Sequence, residues 1–212
     1  MAQNAATTDF IAEFTAQLTA TNAVKPTEAL VLGVQSTDEG PVLVAPGLDE
    51  TAVTALQDQL QTLGVKGAAD EVTRVAGAAT QFEAKLVVLT GIGSTESPAQ
   101  GSPTLDNSTP GNISAEALRR AAGAATAKMS GITEITVALP AESAAHLTAV
   151  AEGSVLGTYS FAGYKTTDES DDDVENLFLS FVTSIADADE LVRRAAVVAR
   201  ATFVTRDLVN TA

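Results

Sequence analysis

The chain has 212 residues, 45 % of them hydrophobic, enough for one domain to bury a core without disulfides or metals. Its formal net charge of −15 argues against a general basic surface for nucleic-acid phosphates, which needs Lys and Arg. It contains no cysteine, which excludes disulfides, thiolate zinc sites and a cysteine nucleophile.

Aromatic residues make up only 4 %, so the core is expected to be built from Val, Leu, Ile and Ala. No Lys or Arg precedes Lys25, and FIAEFTAQL is too short and too polar for a secretory signal core. No stretch has the uninterrupted apolar length of a membrane helix. A cytoplasmic soluble protein with no membrane partner is the expectation.

In chain order, TTDFIAEFTAQLTATN sets Phe10, Ile11, Phe14 and Leu18 at helical spacing, with Asp9 or Thr8 as the cap; a loosely ordered arm is its alternative. EALVLGVQ and GPVLVAPG, separated by Asp38, Glu39 and Gly40, read as a hairpin. LDETAVTALQDQLQTLG reads as a helix capped by Asp49, faced by Val53, Leu56, Leu60 and Leu63, and stopped by Gly64. DEVTRVAG reads as a strand. AKLVVLTGIG reads as a buried strand through Leu86–Leu89 followed by a glycine-rich turn.

Residues 94–112 hold Pro98, Pro103 and Pro110 among Ser, Thr and Gly, and read as a flexible surface loop. SAEALRRAAGAATAKMSG is a helix starting at Ser114, and TEITVALP a strand closed by Pro140. ESAAHLTAVAEGSVLGTYSFAGYK reads as one long helix with internal Gly153 and Gly157. The acidic run TTDESDDDVEN reads as a solvated loop, and LFLSFV as a strand with Leu177, Leu179 and Phe181 on one face. Strand and helix alternate, which predicts an α/β three-layer sandwich with a mixed, largely parallel sheet.

The last helix, ADADELVRRAAVVARATFVTRDLVN, puts its acids first and Arg193, Arg194, Arg200 and Arg206 later, as the helix dipole favours. Val192, Ala195, Ala196, Ala199 and Phe203 form one stripe. Leu191, Val198, Val204 and Leu208 widen the apolar surface beyond it, so a second covering element is expected.

Three places in the chain carry residue types that could do chemistry. His146 stands in a helix beside Ala144, Ala145 and Leu147 with no second histidine at i±4, and reads as a structural or exposed histidine. Asp168, Glu169, Asp171, Asp172, Asp173 and Glu175 lack the glycine and spaced final glutamate of a calcium loop. Gly91 and Gly93 follow a buried strand, as phosphate-cradling glycines do, but the third glycine and the immediate helix are missing. No catalytic, cofactor-binding or metal residue is assigned in this chain.

Several phrases together resemble the N-terminal domain of the leucyl aminopeptidase, or cytosol aminopeptidase, family. They are VKGAADEVTRVAG, LVVLTGIGS, SAEALRRAAGAATAKMSG, AEGSVLGTYSFAGYKT and AAVVARATFVTRDLVNTA. Gly157, Tyr159, Phe161, Tyr164 and Lys165 match a Gly-x-Tyr-x-Phe-x-x-Tyr-Lys pattern, and the last helix matches one ending Arg-Asp-Leu-x-Asn. The resemblance covers residues 29–212. It implies a macro-like fold over 1–187 and an interdomain helix over 188–212 leading to a C-terminal catalytic domain, with Ala212 as a cut. It further implies a parent hydrolase that removes N-terminal amino acids from peptides in intracellular protein turnover, uses two divalent metals, manganese or zinc, and assembles as a hexamer. The family's metal ligands and its Asn-Thr-Asp-Ala-Glu-Gly-Arg signature belong to that C-terminal domain, so this chain is expected to be non-catalytic. The alternative is a stand-alone macro-like module for ADP-ribose or a related nucleotide.

Overall fold

A computed structural model describes residues 17–94, 113–127, 129, 131–159 and 177–211. Its strands are β1 Gln17–Thr21, β2 Thr27–Thr37, β3 Gly40–Val44, β4 Val72–Ala76, β5 Ala84–Ser94, β6 Glu134–Ala138 and β7 Phe178–Val182. Its α-helices are α1 Glu50–Gln57, α2 Ala115–Thr126, α3 Ala144–Gly157 and α4 Ala188–Asn210.

The strands form one sheet in the order β1-β7-β6-β2-β5-β4, with β3 joined to β2. The β1–β7, β7–β6, β6–β2 and β2–β5 pairings are parallel; β2–β3 and β4–β5 are antiparallel. On one flank of β2, β6 takes Ala29–Leu32 and β3 takes Gly33–Thr37. The sheet is mixed and largely parallel, as the alternation of strand and helix required.

Side chains leave a strand to alternate faces, and β2 shows the result. Ala29 and Val31 enter a core shared with α2, α3 and α4, whereas Leu30, Leu32 and Val34 enter a second core with Leu56, Leu60 and Val65. The two cores on opposite sheet faces make three layers. Phe181 and Leu179 belong to the larger core and are fully buried.

The caps fall where local chemistry puts them. The Asp49 carboxylate accepts from the Thr51 and Ala52 N–H groups, and the Ser114 hydroxyl from Ala117 N–H. Glycines govern how α2 meets α3. A Cβ on Gly153 would lie 2.1 Å from the Arg119 carbonyl oxygen, and one on Gly157 would lie 2.3 Å from the Gly123 carbonyl oxygen. The two backbones therefore touch, and Thr126 Oγ1 donates across the contact to the Ser154 carbonyl at 2.8 Å.

Four expectations are corrected. Gln17–Thr21 is a strand, not the end of a helix, because β7 offers it a free parallel edge; Phe10, Ile11 and Phe14 lie outside the described residues. The first helix stops at Gln57 and continues as turns to Gly64, which still bury Leu60. β5 does not turn after Leu89 but runs on to Ser94. The helix through Gly153 ends at Gly157, capped by the Thr158 N–H on the Val155 carbonyl. Most of the Pro/Ser loop (95–112), the acidic run holding Asp168–Glu175, and Phe161, Tyr164 and Lys165 lie outside the described residues.

At the amino ends of the central strands, Glu28 joins three elements. Its carboxylate accepts from Lys85 Nζ at 2.6 Å, Thr133 N–H at 2.8 Å and the Thr133 hydroxyl at 2.9 Å. The Lys85 bond, then the Thr133 donors, lower the Glu28 pKa to about 2. A depressed carboxylate contributes stability above its unfolded-state pKa and loses it as pH falls through the folded one. In urea titrations, the stability difference between wild type and Glu28→Gln is expected to hold at neutral pH and shrink between about pH 4.5 and pH 2. A difference independent of pH across that window would refute the assignment.

Candidate functional site

In open parallel α/β sheets, ligands bind beyond the carboxyl ends of the strands. Here that region beside β2 is filled by the protein itself. A side chain at Gly33 would meet Ile92 Cδ1 at 2.5 Å, Leu139 Cδ2 at 3.1 Å and the Val44 carbonyl oxygen at 3.3 Å. Ile92 and Leu139 are buried.

Gly91 and Gly93, the phosphate-loop candidates, are engaged by the segment 65–71. Gly91 N–H donates to the Glu71 carbonyl at 2.8 Å, and Gly93 N–H to the Gly67 carbonyl at 2.9 Å. A Cβ on Gly91 would sit 1.8 Å from the Ala68 carbonyl oxygen. The segment is held in turn by the Glu71 carboxylate, which accepts from the Lys66 and Ala68 N–H groups, and by the ion pair of Asp70 with Arg120. The donors needed for a phosphate are therefore spent inside the fold, and the ADP-ribose alternative loses its local support. The sequence signal was a close-approach signal; the approaching backbone is the chain's own.

His146 lies in the first turn of α3, where its N–H donates to the Ser143 hydroxyl. Among the described residues, no group of three or more His, Cys, Asp or Glu side chains is placed to hold a metal ion. An open depression at the carboxyl ends of β1 and β7 is lined by Thr21, Asn22, Thr183, Asp187, Glu190 and Arg193. Of its charged groups, Arg193 pairs with Glu190, and the Asp189 carboxylate, also in the lining, accepts from Ala20 N–H. Among the described residues, no helix is long and apolar enough to cross a membrane.

Two features concentrate on α4. The first is its apolar surface. Ala188, Val192, Ala195, Ala199 and Phe203 are buried against the sheet and α3. On the other side Val197, Leu208 and Val209 are 66 %, 61 % and 70 % exposed. Val197, Ala201, Val204 and Leu208 recur at i, i+4, i+7 and i+11, a second stripe facing away from the first. Val197 and Val209 add to the residues the sequence suggested.

The second feature is a polar cluster where the end of α3 meets the end of α4. The Tyr159 hydroxyl donates to Asp207 Oδ1 at 2.8 Å and accepts from Asn210 Nδ2 at 3.1 Å. The Arg206 guanidinium lies 5.2 Å from the Tyr159 ring centre, within cation–π range, and the Phe203 ring 5.1 Å from it. Burial first, then the Asp207 carboxylate, push the Tyr159 hydroxyl above the ordinary tyrosine pKa, against the Asn210 amide and the Arg206 charge. In the sequence the tyrosine pattern and the Arg-Asp-Leu-x-Asn pattern stand apart. Only the fold brings them together.

Comparison with known proteins gives a concordant result. The sequence model of the cytosol aminopeptidase family, N-terminal domain, matches residues 31–168. A probable cytosol aminopeptidase of Micrococcus luteus is 44 % identical over 189 residues, spanning 87 % of this chain and 34 % of that protein. One of Clavibacter michiganensis is 38 % identical over 193 residues, spanning 87 % and 33 %. Among solved structures, a tomato leucine aminopeptidase mutant aligns with a TM-score of 0.63 at 17 % identity, covering 93 % of this chain and 38 % of that one. The bottromycin maturation enzyme BotP in complex with Mn aligns at 0.55 and 19 %, covering 87 % and 32 %. At such identities these two likenesses speak for the fold alone. The chain spans about a third of the length of the curated relatives it matches.

Proposed function

The chain belongs to the cytosol aminopeptidase family, and from that premise we propose that it is the non-catalytic N-terminal domain of a metal-dependent leucyl aminopeptidase. The observation that carries this reading is the pairing of 44 % identity over 87 % of the chain with coverage of only 34 % of the relative. The parent would remove N-terminal amino acids from peptides in intracellular protein turnover, with two divalent metal ions, manganese or zinc, in its catalytic domain. A cytoplasmic, hexameric parent is part of the same proposal.

Within it, residues 1–187 form the macro-like domain and residues 188–212 the interdomain helix. The outward stripe of Val197, Ala201, Val204 and Leu208, exposed except for the half-buried Val204, supports that division, because an apolar helix face of this width gains stability from a cover. The role left to this domain is packing, assembly or control of access to the active site.

The test is turnover of a leucine anilide with added manganese or zinc. The longer protein is expected to hydrolyse it and the 212-residue chain to give no rate above background. Hydrolysis by the isolated chain would overturn the non-catalytic assignment, and an inactive longer protein would overturn the parent activity.

A further inference from the structure

The sheet holds α4 only through part of its length. Its buried residues end at Phe203, and from Val204 to Thr211 no residue is buried. A helix end that lacks tertiary contact frays. Among the described residues, Tyr159 engages this end from outside the helix. Phe203, Arg206, Asp207 and Asn210 stand at i, i+3, i+4 and i+7 and so share one face. Each of the four meets Tyr159: two through its ring and two through its hydroxyl.

Tyr159 is mounted on a firm base. It follows the Thr158 cap of α3, and α3 is pressed backbone to backbone onto α2 at Gly153 and Gly157. The hydroxyl adds what a phenyl ring lacks. It donates to Asp207 and accepts from Asn210, one helical turn apart, so both bonds fit a single rotational setting of α4. A slip of one residue would rotate the helix by about 100° and break both.

We propose that Tyr159 is a positioning residue, a latch that fixes the last two turns of α4 on α3 and so sets the direction in which the polypeptide leaves this domain. Leu208 and Val209 are thereby held outward. That this direction orients a catalytic domain rests on the reading above; the latch itself does not, and it is testable in the 212-residue chain.

The test uses Tyr159→Phe, which keeps the ring and removes the hydroxyl. Because the chain has no cysteine, spin labels can be placed cleanly at Thr54→Cys on α1 and Val209→Cys on α4. The label-to-label distance distribution is expected to be narrow in the otherwise unchanged chain and at least twice as wide in Tyr159→Phe. Amide exchange, corrected for intrinsic rates, is expected to rise at least tenfold at residues 206–211 while Leu30–Leu32 and Val87–Leu89 keep their rates. Unchanged width or unchanged exchange at 206–211 overturns the latch. So does an acceleration shared equally by β2 and β5, which would make Tyr159 a general support of the fold. Leucine anilide turnover is a separate readout, so failure of the parent activity leaves this result standing.

Discussion

Replacing Gly153 with alanine is expected to cost about 3 kcal/mol of stability, the upper end of the usual overpacking range. The added methyl would lie 2.1 Å from the Arg119 carbonyl oxygen and 2.9 Å from its carbon. Those atoms are backbone in the middle of α2, so no side-chain rotation relieves the clash. The helices must separate, and the contact then loses the Thr126–Ser154 hydrogen bond and the Arg119–Glu152 ion pair that span it. A urea midpoint lower by about 1 M or more would report the change. The comparison is Gly131→Ala. Nothing lies within 4 Å of a Cβ there, and the cost comes only from its φ of 71°, about 1 kcal/mol. If the two variants fall by equal amounts, the close approach of α2 and α3 is not what holds Gly153 as glycine.

Gly91→Ala is expected to cost about 2–3 kcal/mol by the same physics in a different place. Its methyl would sit 1.8 Å from the Ala68 carbonyl oxygen. To admit it, the segment 65–71 must lift from β5 and release the bonds from Gly91 N–H to Glu71 and from Gly93 N–H to Gly67. The signature is local as well as global. Lys66 is exposed at the start of this segment, and trypsin is expected to cut after it at least tenfold faster in the variant under native conditions. A glycine kept for an absent ligand would behave otherwise: stability and cleavage at Lys66 would stay near wild type.

These two glycines also show what the sequence could convey. Gly91 read as a place of close backbone approach and Gly153 only as a glycine inside a helix, and a glycine does not say what approaches it. Gly153 marks a neighbouring helix, and Gly91 marks the chain's own backbone in a position where a phosphate was the other candidate. Elements with strong internal patterns were legible. The β2–β3 hairpin has its turn residues, α1 its Asp49 cap, and β6 and β7 their compact apolar runs. Gln17–Thr21 was not legible, since its alternation is only five residues long with Leu18 and Ala20 as its apolar members, Leu18 also fits the helical spacing from Phe10, and its pairing with β7 depends on residues far along the chain. The Tyr159 cluster was hidden for a related reason. Its two hydrogen bonds span 48 and 51 residues of sequence, and the close contact of α3 with α4 joins them.

The parallel pairing of β1 with β7 carries a consequence for how the chain is made. Gln17 lies beside Phe178, and Thr21 beside Val182. During synthesis at about 5–20 residues per second, the first strand therefore waits on the order of 10 s before β7, its sheet neighbour among the described residues, leaves the ribosome. Loop closure over so long an interval comes late in folding. The nascent chain must meanwhile carry Gln17–Thr21 unpaired, and the edge of the sheet is completed last, together with the helix that supplies Asp189 to the Ala20 amide.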